Sequence, residues 1–134
     1  VDALITPEAR RELEAWAVFR PRPGAWGVLV GHVRGSRFIV EKAFPAGSAA
    51  EAPRPRLLAG LDGVWPDRTI GLFAFRPGAA FLAAVRGPAW YGKLVLRFSG
   101  PGRAPVLHPF VVAFERRFTL APVGLAPAVK EGSP

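Results

Sequence analysis

The sequence predicts an α+β fold, helices and sheet mixed in a single domain, on three observations. An N-terminal segment carries Ala9, Leu13, Trp16 and Ala17 at helical spacing. Much of the remainder consists of short apolar runs, such as Val28-Leu29-Val30 and Leu94 to Phe98, cut by glycine and proline turns. The chain has 134 residues, half of them hydrophobic, which is enough for one core and leaves little room for a second domain.

Thr6-Pro7-Glu8 predicts a helix start: Thr6 caps, Pro7 suits the first helical position, and Glu8 complements the positive end of the helix. The helix should end before Pro21, because a proline pushes its predecessor out of helical geometry. Pro21-Arg22-Pro23-Gly24 reads as a linker, Trp26 to Val33 as a strand, Arg34-Gly35-Ser36 as a turn, and Arg37 to Phe44 as the return strand of a hairpin. Gly27 and Gly31 within the first strand point to a bulge or a close backbone approach. Residues 45–56 are low in complexity and predict a mobile loop. Leu57 to Leu61 predicts a short helix, followed by turns at Asp62-Gly63 and Pro66-Asp67. Thr69 to Phe75 predicts a third strand and Gly78 to Val85 a short helix closed by Gly87-Pro88. Strands follow at Leu94 to Phe98, Val106 to Ala113 and Arg117 to Leu120, with a Ser99-Gly100-Pro101-Gly102 turn between the first two. The domain is therefore placed at 1–120, and residues 121–134 are read as a tail, partly extended or flexible.

Composition narrows the chemistry. The chain has no cysteine, which excludes disulfides, thiolate metal sites and cysteine nucleophiles. Methionine, asparagine and glutamine are also absent, a depletion that fits a thermophile, and the wealth of Ala, Gly, Pro, Arg and Leu fits a GC-rich bacterial genome. No apolar run reaches the roughly 18 residues of a membrane span. The charged, amphipathic start does not read as a signal peptide, so a cytoplasmic protein is expected. Net charge is +8, which would attract nucleic acid or an acidic protein. The arginines stand singly or in pairs, however, and aromatics do not interleave with them, so specific nucleic-acid binding is not expected.

Two segments carry a resemblance. In PRPGAWGVLVGHVRGSRFIVEKAFPAG (21–47), Gly27, Leu29 and Gly31 match the G-x-L-x-G of the opening hairpin of JAB/MPN domains, the JAMM metalloprotease fold. In GLFAFRPG (71–78), Gly71, Pro77 and Gly78 match that family's G-W-Y-H-S-H-P-G segment. The resemblance spans about residues 3–120. It implies one MPN-like domain: a curved central sheet with the N-terminal helix and one or two further helices packed on it.

Active members of that family are zinc hydrolases of isopeptide or peptide bonds after ubiquitin or its relatives. Two histidines and an aspartate hold zinc, a glutamate takes the proton of the bound water, and a serine helps hold the oxyanion. By the family's spacing the glutamate falls at Gly24, the histidines at Ala74 and Arg76, the serine at Ala84 and the aspartate at Gly87. None of the five can do this work, and residues 69–95 contain no His, Asp or Glu to replace them. The resemblance thus implies a member without zinc or other cofactor. It would not be an enzyme, but an interaction or scaffold module pairing with a catalytic MPN protein or a ubiquitin-like protein, or with itself as a homodimer.

The remaining residues offer few other groups for chemistry. His32 and His108 are the two histidines, and His32 lies within reach of Glu41 on the partner strand of its hairpin. Asp62 and Asp67 fall in turns, where aspartate is commonly structural. Ser36, Ser48 and Ser99 occupy turns or loops without a nucleophile-elbow pattern, and no Walker spacing is present. An enzyme of another class built on these groups is the alternative reading, and a basic nucleic-acid binder a weaker one. Trp90 and Tyr91 are candidate partner anchors, with one of the two expected to pack inward. Arg76, at the mouth of the lost metal pocket, is a candidate contact for a carboxylate or chain terminus.

Overall fold

A computed structural model describes residues 1–18, 22–99 and 106–126. Its elements run β1 (Asp2–Ile5), α1 (Pro7–Val18), β2 (Trp26–Arg34), β3 (Arg37–Gly47), α2 (Pro55–Val64), β4 (Thr69–Phe75) and α3 (Ala79–Val85). A 3-10 turn at Pro88–Trp90 follows, then β5 (Leu94–Ser99), β6 (Val106–Glu115), β7 (Arg117–Pro122) and β8 (Gly124–Leu125). All eight strands join one sheet in the order β7-β6-β5-β4-β2-β3-β1-β8. The mixed α+β architecture is as the sequence predicts. No helix among the described residues is long and apolar enough to cross a membrane.

The sheet is covered on both faces, which is why its central strands read as continuous apolar runs. On one face lies α1, whose Ala9 and Leu13 pack with Ile5, Val40, Phe73 and Phe98. Trp16 meets the Phe73 and Phe98 rings edge-on, with centroids at 5.0 and 5.7 Å. The start of α1 is as predicted: the Ala9 N–H donates to Thr6 Oγ1 at 3.2 Å, and Pro7 takes the first helical position. On the other face, Phe81 and Val85 of α3 and Trp90 of the 3-10 turn pack with Trp26, Leu72 and Val95, while Leu57, Leu58 and Leu61 of α2 lean on the same cluster. The pair β4 and β5 is parallel, and α3 with the 3-10 turn supplies the crossover that such a pair requires.

Four sequence expectations change. The first strand was not foreseen: β1 has four residues with alternating burial, and it forms because β3 and β8 pair with it in parallel on either side. The expected mobile loop at 45–56 is ordered at both ends, with β3 running to Gly47 and α2 starting at Pro55. The turn expected at Asp62-Gly63 is the last turn of α2, which three leucines hold against the sheet despite the roughly 1 kcal/mol each that Gly60 and Gly63 cost a helix. The boundary expected at 120 does not end the fold. Ala121 and Pro122 complete β7, Gly124 and Leu125 pair with β1, and Val123 and Ala126 are buried. Residues 127–134, and Gly100 to Gly102 of the predicted turn, lie outside the described residues.

Candidate functional site: the end of strand β4 and the arginine cleft beside it

β4 is buried until Phe75, and there the chain turns sharply. Arg76 has φ +45, left-handed backbone that a non-glycine residue adopts at a cost of about 1–2 kcal/mol. Its N–H donates to Phe98 O at 3.2 Å, and its guanidinium lies over the Phe75 ring, 5.3 Å from the centroid. β5 thus ties down the bend, and Arg76 is exposed at it.

The structure gathers the first three of the five positions that the resemblance singles out at this end of the sheet. The Gly24 N–H donates to Phe75 O at 2.7 Å, and Trp26 is the register partner of Ala74. Gly24 has φ +90, and a Cβ there would run into Ala49, so no longer side chain fits this backbone. Ala74 is fully buried in the apolar cluster of Trp26, Phe81, Val85 and Trp90. Ala84 lies half-buried on α3, and Gly87 follows its end in extended backbone. The Trp26 indole N–H donates to Ser48 O at 3.2 Å and Glu51 O at 2.6 Å. That bond, together with buried Pro53, ties down the segment expected to be mobile. The surroundings of Ala74 are packed and apolar, with Trp26 among them.

The other candidates are spread over the sheet. His32 Nδ1 lies 2.7 Å from Glu41 Oε1, as the hairpin pairing predicts, and Arg68 Nη2 donates to the same oxygen at 3.2 Å. Glu41 is the extra residue of a bulge, since Val30 pairs with Lys42 and Gly31 with Val40. Arg68 is fixed by donating Nε to Gly31 O at 2.9 Å. This is a part-exposed surface network. His108 sits on β6, beyond β4 and β5, where Ser99 Oγ approaches its Nε2 at 3.3 Å. Asp62 belongs to α2, Asp67 to the turn before β4 with φ +59, Ser36 to the β2–β3 turn and Ser48 to the loop under Trp26. No group of three or more His, Cys, Asp or Glu side chains able to hold a metal occurs among the described residues.

The aromatic pair divides as expected. Trp90 is fully buried, whereas Tyr91 is 59% exposed and meets the Phe118 ring edge-on at 6.3 Å. Ionisation is shifted at the far side of the sheet: hydrogen bonds from Arg37 and Lys42 hold the Asp2 and Glu8 carboxyls below their usual values.

Beside the bend opens a cleft of about 520 Å³, lined by Arg76, Arg97, Ser99, His108 and Phe110 among others. It lies past the ends of the parallel pair β4 and β5, where open sheets with crossovers commonly bind ligands. Arg97 opposes His108 across β5 and β6, so both side chains share a face, and the Arg97 guanidinium lies 5.6 Å from the Phe110 centroid. The sequence reading missed Arg97 and Phe110. A lone arginine inside the apolar run Leu94 to Phe98 is the one local signal, and its partners come from strand pairing.

No family model matches the chain, and no curated protein sequence matches it. Among solved structures it is similar to the solution structure of protein DSY2949 from Desulfitobacterium hafniense, with a TM-score of 0.63, 20% identity, and 92% of each chain covered. At that identity the likeness concerns the fold alone.

Proposed function

We propose that the chain is a non-catalytic MPN/JAB-like protein-interaction or scaffold module that has lost the zinc isopeptidase site. The observation that carries the reading is Ala74: at the position of the family's first histidine stands a fully buried methyl group packed beneath Trp26. Gly24, with its Cβ space taken by Ala49, and Arg76, a cation where a metal ligand would stand, support the same reading. The partner would be a catalytic MPN protein, a ubiquitin-like protein or a second copy of the chain, met without cofactor. Metal analysis of the purified protein with an isopeptidase assay tests this. Sub-stoichiometric zinc and no cleavage are expected, and stoichiometric zinc with cleavage would overturn it.

A further inference from the structure

The Arg97 cleft is one half of a longer groove. A second cleft of about 340 Å³ shares Arg97 and Phe110 with the first and adds Arg86 from the C-cap of α3 and Arg117 from β7. Leu82 of α3 and Phe118 and Leu120 of β7 supply apolar side chains to its otherwise polar lining. The groove exists because α3 has seven residues and leaves part of β5–β7 uncovered on its face.

Among the described residues, four arginines and a histidine line these two clefts, and no Asp or Glu does. None of the four arginines forms an ion pair among the described residues. Three of the four heads are nonetheless placed. Arg76 and Arg97 lie over phenylalanine rings, and Arg86 Nε donates to Leu82 O at 3.0 Å. Guanidinium groups held this way are ordered before a ligand arrives, which lowers the entropy lost on pairing with a carboxylate fork.

We propose that this groove binds an acidic peptide segment of another protein, its carboxylates on Arg76, Arg97 and Arg117 and its apolar side chains beside Leu82 and Leu120. Charge complementarity and the mixed lining favour a peptide over a nucleic acid. Arg97 already lies against the Phe110 ring, and Phe118 packs against Phe114 at 4.8 Å and Tyr91, so the rings a base would stack on are engaged. Strand spacing of about 4.8 Å sets β4 and β7 about 14 Å apart, which an extended segment of about four or five residues spans. The proposal does not depend on the family resemblance: failure here leaves the interaction-module reading to its own zinc test.

The test is fluorescence anisotropy with the full chain at physiological salt. One labelled peptide alternates glutamate and leucine, a second carries glutamine for every glutamate, and a labelled single-stranded oligonucleotide of equal charge is the third probe. The acidic peptide should bind and the glutamine peptide should not. Arg97→Glu and Arg117→Glu should each weaken binding by about tenfold or more. Arg117 is exposed on an edge strand, so its variant decides the matter if Arg97→Glu fails to fold. Equal binding of the two peptides, no binding of the acidic one, unchanged affinity in the folded variants, or tighter binding of the oligonucleotide would each overturn the proposal.

Discussion

The indole N–H of Trp26 donates to the carbonyl of Glu51 at 2.6 Å, across a loop that sequence alone reads as mobile. The bond joins the start of β2 to the segment before α2. With the Ser48 carbonyl as second acceptor, it orders the cover over the end of β4.

Trp26→Phe keeps a ring in the apolar cluster and removes the donor. The two carbonyls are part-buried, so stability should fall by about 1–2 kcal/mol, read from the urea midpoint. Backbone amides of residues 48–51 should exchange faster in the variant, whereas those of β7 should not. Uniform acceleration across the sheet would show that the bond does not order the loop.

A histidine at position 74 should not make a metal site. Ala74→His forces an imidazole into a fully buried apolar place, with overpacking and an unmet polar group costing about 2–5 kcal/mol together. Ala84→His, on the half-buried face of α3, should cost under about 1 kcal/mol. Added zinc should leave both urea midpoints unmoved. A zinc-dependent rise for Ala74→His would count against the packed reading of this region.

Arg76 tests the bend. Glycine in its place relieves about 1–2 kcal/mol of left-handed strain and gives up about 0.5–1 kcal/mol of cation–ring attraction, so Arg76→Gly should match or slightly exceed the parent in stability. Arg76→Val loses the attraction and adds a β-branched side chain where φ is +45, so it should lose about 1–2 kcal/mol. Equal midpoints for the two variants would mean that the left-handed bend is not held in solution.

Acid should loosen the β1 edge first. Arg37 donates Nε and Nη2 to the Asp2 carboxylate at 2.8 and 2.9 Å, and this hydrogen bonding lowers the folded-state pKa. A depressed carboxyl stabilises the fold above its unfolded value, about 3.9, and loses that contribution as pH falls through the folded value below it. The same sign holds for Glu8, which Lys42 holds low. Amide exchange in β1 and β8 should therefore rise, relative to that in β4, as pH falls below about 4. Asp2→Asn should remove the part of this pH dependence that Asp2 supplies. Both pairs are exposed, so the effect on global stability should be small.

The amino-acid sequence by itself determined the elements whose signals are local. Thr6 and Pro7 set the start of α1, Gly35-Ser36 the hairpin turn of β2 and β3, and the apolar run from Thr69 the whole of β4. His32 and Glu41 were placed together because a hairpin is local pairing. Tertiary structure decided what depends on residues distant in the chain. β1 and β8 have four and two residues, too few to fix a strand until β3 and β1 offer them partners. Segment 48–53 has no pattern of its own and is ordered by an indole more than twenty residues upstream. Arg76, Arg86, Arg97 and Arg117 are scattered over forty-two positions and brought into one groove by the pairing of β4 to β7 and the shortness of α3. Backbone hydrogen bonds between strands carry no local sequence signature, so strand order, and with it the groove, arises only when the sheet assembles.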